Sequence, residues 1–231
     1  MKRWHEELGV FDLETTGVDV DTSRIVSAHV GVLDAGGDVV ERLDWLVNPG
    51  VPIPVGATQV HGITTERARA DGRRAPDAVR EIVAALRALL HRGIPIVAYN
   101  APYDFSLLDR EARRHGVPPL HEPVPIIDPL VIDRALDKYR RGKRTLEITA
   151  GHYGVGLVDA HDAGADAIAA GRVAQAIARA FPDELGVDAV ALHRLQVRWC
   201  REQAEDFQAY MRRVRDPHFV AVGDWPHRRV A

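Results

Sequence analysis

The sequence predicts an α/β protein on a mixed sheet, three antiparallel strands and then parallel ones, flanked by helices. Three observations carry this. The opening residues hold three β-rich runs in succession, two of them joined by a Gly-Gly turn. Beyond residue 75 the apolar spacing turns helical, and short apolar strands alternate with helices. No internal repeat or low-complexity linker divides the 231 residues, so a single body is the simpler reading.

The elements follow in order. The apolar run Leu8-Gly9-Val10-Phe11 reads as a buried strand, and Gly17 supplies the backbone freedom to leave it. Residues 24–33 and 39–47 form a hairpin, turned at Gly36-Gly37 and stopped by Asn48-Pro49-Gly50. Residues 51–55 hold two prolines and read as a surface connection. A helix over 76–91 places Val79, Ile82, Val83, Leu86, Leu89 and Leu90 on one face, with Asp77 in its first turn. Then come a strand over 94–99, a helix over 102–115, a strand over 125–128 and a helix over 129–139. Thr145 caps a short helix to Tyr153. Ala-rich residues 162–181 and residues 184–214 give two more helices, and the tail from Asp216 lies over the surface.

Composition excludes several classes. Hydrophobic content of 46% and charged content of 27% are those of a packed globular protein. A formal charge of −3 rules out gross attraction to nucleic acid while leaving local basic patches open. The single cysteine, Cys200, forms no internal disulfide, which fits a reducing compartment. No apolar stretch suits a signal peptide or a membrane helix, so no membrane association and a cytoplasmic location are expected.

Chemistry concentrates at Asp12 and Glu14, alternate residues that continue the first strand. Period-two alternation puts both carboxylates on one face. Two buried like charges need a cation between them, and hard divalent ions take carboxylate oxygens. Two later acids complete the picture. Asp104 follows a buried strand in the first turn of a helix, and Asp166 lies early in the Ala-rich helix. Small residues around Asp166 let that helix approach the sheet closely, and His161 sits at or just before its start. Asp128, after another strand, reads as a helix cap.

This set resembles the DEDD exonuclease superfamily, which includes the DnaQ-like proofreading (epsilon) subunits of replicative polymerases. FDLETTG matches its first motif, YNAPYDFSLL its second and HDAGADA its third, in the right order over residues 8–180. The spacing of His161 and Asp166 is that of the DEDDh branch. The resemblance implies a ribonuclease H-like fold for an exonuclease domain at 1–181; residues 182–231 lie outside it and read as a helical extension and tail packed on the same domain. It also implies hydrolysis of phosphodiesters at 3′ ends of single-stranded nucleic acid, releasing nucleoside monophosphates. Two divalent cations, Mg²⁺ or Mn²⁺, would serve that reaction. By the same resemblance Asp12 bridges both ions, Glu14 and Asp166 complete one, Asp104 serves the second, and His161 is the general base.

Terminal-nucleotide contacts carried over in the same way are Leu13, Thr16, Val60, His61 and Tyr103, the middle pair within Val60-His61-Gly62-Ile63-Thr64. The runs Arg67-Arg69-Arg73-Arg74 and Lys138-Arg140-Arg141-Lys143-Arg144 offer phosphate contacts or a solvated surface. DNA is the expected strand and RNA the alternative. A DNA polymerase partner stays open, as does the oligomeric state. A catalytically inactive binding scaffold is the rival from another class.

Overall fold

The computed structural model describes residues 3–157 and 161–228. The ends of the expected domain and extension at 1–2 and 229–231, and the segment 158–160, lie outside the described residues. Six strands form one sheet in the order β4-β3-β2-β1-β5-β6. β1 (Leu8–Thr15), β2 (Ile25–Leu33) and β3 (Val39–Asn48) pair antiparallel, while the short β5 (Ile96–Val97) and β6 (Ile126–Ile127) continue parallel to β1. The expected mixed sheet is borne out.

The first strand is longer than its apolar run. β1 carries Asp12 and Glu14 within it, opposite His29 and Ser27 of β2, and its register slips between Glu14 and Thr15. The extra residue is Val26 of β2, so the bulge belongs to β2 and the alternation of β1 through Asp12 and Glu14 stays regular. Leu8 and Val10 pack toward one face of the sheet, and Phe11 and Leu13 toward the other.

Residues 51–71 are more ordered than a surface connection. They contain α1 (Val55–His61) and α2 (Thr65–Asp71), and Arg73–Arg74 then adds β4 at the edge, parallel to β3. α1 buries no residue and α2 buries only Ala68, so neither has the apolar stripe by which a helix is read in sequence.

α3 (Ala75–His91) and α4 (Ala101–Arg114) cover one face, with Phe11 and Phe105 in edge-to-face contact at 5.4 Å. α7 (Ala163–Ala180) covers the other. It comes unusually close, because a Cβ on Gly171 would stand 2.5 Å from Val10 and 2.6 Å from Leu33. α5 (Pro129–Leu136) and α6 (Leu146–His152) follow β6, with Thr145 capping α6 as expected. α8 (Ala189–Val214) starts later than expected, because Asp188 caps it through the N–H of Ala191 at 2.8 Å. α8 lies against β6 and α5.

The tail departs from a surface path. Trp225 is buried, stacks obliquely on His193 at 4.8 Å and donates its indole N–H to Asp128 at 3.4 Å. Among the described residues no helix is long and apolar enough to cross a membrane.

Candidate functional site

The parallel strands β1, β5 and β6 end on one edge of the sheet, where α/β proteins usually place their ligands. Asp12, Glu14 and Asp166 meet there, each offering an oxygen within 4.8 Å of the others. Alternation along β1 aims the first two at the face that α7 covers. The stripe Ala163, Gly164, Ala167, Ala170 and Gly171 lets α7 bring Asp166 down onto them.

Asp104 enters from the second face. α4 begins at Asn100, held in the left-handed region at φ 65°, and Asp104 lies buried in its first turn. Asp128 anchors that start, accepting from the N–H groups of Asn100 and Ala101 at 3.0 Å while capping α5 through Leu130. Asp128 is therefore a structural cap, as expected. Burial raises its pKa to about 6, against these stabilising N–H donors.

The electrostatics are those of uncompensated acids. Burial drives Asp12 well above the carboxylate range, and the charges of Asp104, Glu14 and Asp166 add to it. Glu14 is pushed up to about 8 by burial, then by Asp166 and Asp162. Asp104 is raised by burial, with main-chain N–H groups opposing. Asp166 is raised by burial against the N–H of His161, which it accepts at 3.2 Å through Oδ2. Its Oδ1 is buried without a hydrogen-bond partner. Clustered hard oxygens, one of them orphaned, fit a divalent cation.

His161 is exposed and takes a positive φ of 71°, one residue before the α7 cap Asp162. It borders a cleft of about 330 Å³ shared with His61, Arg42, Arg67 and Asp162. His61 closes α1, its Nδ1 accepts the Ile63 N–H at 3.1 Å, and burial lowers its pKa. Arg42 and Asp162 escaped the sequence reading. Arg42 sits on β3 bonded to Asp44 at 2.6 Å, and only strand register reveals its place.

The other expected substrate contacts scatter. The Leu13 side chain is buried in the core, and Val60 is exposed on α1. Thr16 Oγ1 accepts the N–H of Arg24 at 2.9 Å. The Tyr103 hydroxyl lies 2.5 Å from Thr15 Oγ1 and donates to the Gly17 carbonyl at 2.5 Å, tying α4 to the end of β1.

One basic run is corrected in part, since Arg141 and Lys143 stay exposed. Arg140 bonds buried Asp133 at 2.6 Å, Arg144 pairs with the same carboxylate, and the hydroxyl of Tyr153 donates to it at 2.9 Å. Lys138 pairs with Asp206 at 3.1 Å. Arg140 and Arg144 therefore serve a buried acid that needs cations, and are not free for phosphate. Arg67, Arg69, Arg73 and Arg74 are exposed, with Arg73 paired to Glu81.

Comparison with known proteins adds lineage to geometry. The model of the RNase T family, described as exonuclease, matches residues 10–174. DNA polymerase III PolC-type of Streptococcus thermophilus is 29% identical over 167 residues, covering 71% of this chain and 10% of the polymerase. The Streptococcus pneumoniae counterpart is 27% identical over 183 residues, 79% of this chain and 12% of its own. Escherichia coli exonuclease I in complex with a dA16 oligonucleotide superposes with a TM-score of 0.66 at 20% identity, covering 78% of this chain and 42% of that one.

Proposed function

The chain belongs to the RNase T exonuclease family, and we propose that it is a metal-dependent 3′→5′ exonuclease of the DEDDh type. The expected resemblance to DEDD exonucleases is borne out at the level of the family. The observation that carries the finer reading is the meeting of Asp12, Glu14 and Asp166 beside buried Asp104, with His161 at the mouth.

Asp12, Glu14 and Asp166 would hold one divalent ion, Mg²⁺ or Mn²⁺, and Asp12 with Asp104 a second. When bound, such a pair activates water and stabilises charge on both oxygens of the displacement. The protein's own share begins with placement. The regular alternation of β1 through Glu14 and the close approach of α7 set the spacing of the carboxylates. His161, exposed at the helix start, would accept the proton of the attacking water. The cleft bearing His61 and Arg67 would take the terminal nucleotide, Arg67 meeting phosphate charge. Leu13, Thr16, Val60 and Tyr103 do not line that cleft, and their part in binding rests on the family resemblance.

Single-stranded DNA is the substrate proposed, because the superposed exonuclease I holds a DNA oligonucleotide. Association with a polymerase gains support from PolC-type relatives that hold a matching stretch within a much longer chain. The test is gel analysis of 3′- and 5′-labelled DNA and RNA with wild type and Asp12→Ala, with Mg²⁺ or EDTA. Stepwise shortening from the 3′ end, lost in the variant and in EDTA, is expected. Faster trimming of RNA than of matched DNA reverses the substrate assignment. Absence of metal-dependent cleavage from any 3′ end leaves the binding scaffold instead.

A further inference from the structure

A groove of about 980 Å³ lies between α5, the second half of α8 and the returning tail at 219–222. The family match ends at residue 174, so α8 and the tail lie outside it. We propose that this groove is the path of the single strand on the 5′ side of the terminal nucleotide. The proposal rests on the exonuclease reading above and deepens it.

Position comes first. The inner wall includes Asn100 and Pro102, at the start of the helix that bears Asp104. With Asp128, they put this wall at the C-terminal ends of β5 and β6, the end of the sheet at which β1 carries Asp12 and Glu14. None of the site carboxylates lines the groove itself. Its outer wall is α8 from Cys200 to Tyr210, a span of about 15 Å at the helical rise.

Chemistry selects the occupant. Phe207 and Tyr210 line the groove with their rings half-exposed. Phe207 is steadied edge-on by Phe219 at 5.4 Å, and the Arg213 guanidinium lies 5.8 Å from the Tyr210 ring centre. Aromatic rings flanked by guanidinium groups are the platform on which unpaired bases stack without regard to sequence. The lining adds exposed cations at Arg134 and Arg228. Its acids are occupied, since Asp128 is buried under four donors and Asp206 pairs with Lys138. Rings with net positive charge match a polyanion bearing flat bases better than they match an apolar protein helix.

The experiment compares wild type with Phe207→Ala/Tyr210→Ala and with Arg134→Glu, all at exposed positions away from the carboxylates. Fluorescence anisotropy would measure 5′-labelled oligo(dT) of about 4 and about 12 nucleotides, with Asp12→Ala added to each protein to prevent cleavage. Wild-type affinity should rise with length, and either variant should bind the longer strand about tenfold more weakly, with the shorter one unchanged. On the uncombined proteins, kcat on the short strand should stay at the wild-type value. Equal long-strand affinity in wild type and both variants overturns the proposal and leaves the groove to a protein partner. If no strand is cleaved but length-dependent binding and its loss persist, the exonuclease reading fails and the groove assignment stands.

Discussion

The main chain of His161, not its ring, holds Asp166: the His161 N–H donates to Asp166 Oδ2 at 3.2 Å. The proposed general base and a proposed metal ligand are thus joined through backbone, and the two roles can be separated by mutation.

His161→Gly is the cleanest separation, because the native φ of 71° suits glycine. It removes the imidazole and keeps the N–H. We expect kcat to fall by about 10²–10⁴ with Mg²⁺ affinity retained, read by single-turnover cleavage and calorimetry. Loss of Mg²⁺ binding together with activity would show that the ring serves the metal site.

Raised acids give the metal-free protein an inverted pH profile. Glu14 moves from 4.5 to about 8, so between those values the folded state holds a proton that the unfolded chain has released. Stability from this group is full below about pH 4.5 and lost as pH rises through about 8. Asp12, Asp104 and Asp166 shift the same way. In EDTA the Tm should fall as pH rises across this window, and Mg²⁺ should restore it most on the alkaline side. A Mg²⁺-induced Tm gain that shrinks with rising pH would contradict this.

Glu14→Gln removes one of the repelling charges. Metal-free Tm near pH 8 should rise, and the Mg²⁺-induced gain should be smaller than in wild type. Thermal melts with EDTA and with Mg²⁺ give both numbers.

Arg140→Ala strips a buried partner from Asp133, where charged hydrogen bonds contribute about 2 kcal/mol. Tm should drop by about 4–8 °C for a chain of this size. The salt dependence of DNA binding should not move, since this guanidinium faces an acid and not a phosphate. A reduced salt slope would return Arg140 to the nucleic-acid surface.

Trp225→Ala tests the tail. The residue is 7% exposed and its indole N–H reaches Asp128, which anchors the helix bearing Asp104. A loss of about 3–5 kcal/mol in denaturant unfolding is expected from the void alone. A loss below about 1 kcal/mol would mean that the tail rests loosely.

The acids of the site were legible because their geometry is local. Spacing of two along a strand, a carboxylate in a helix's first turn and a stripe of small residues are all written in adjacent positions. α1 and α2 were not legible, since helices with almost nothing to bury leave no period in the sequence. Arg140 and Arg144 read as surface because their partner, Asp133, looks in sequence like any helical acid. Only the fold shows that it is buried. Arg42 reaches the cleft through the pairing of β2 with β3, and Trp225 reaches the core across 97 residues from Asp128. Pairings over that distance have no local pattern.

The tight seat of Gly171 against Val10 and Leu33 makes the dry interior a gauge for the ionic site. One added methyl there, five residues from Asp166 and touching no carboxylate, must lift the helix or displace its neighbours. The aperture between Asp166 and the two acids of β1 would widen, favouring a larger cation such as Ca²⁺ over Mg²⁺. Gly171→Ala should therefore weaken Mg²⁺ more than Ca²⁺ in a binding titration, with equal losses for both pointing to general loosening. Ion choice in this chain would then be an inherited property of its packing, open to change by substitutions that any catalogue of catalytic residues would pass over.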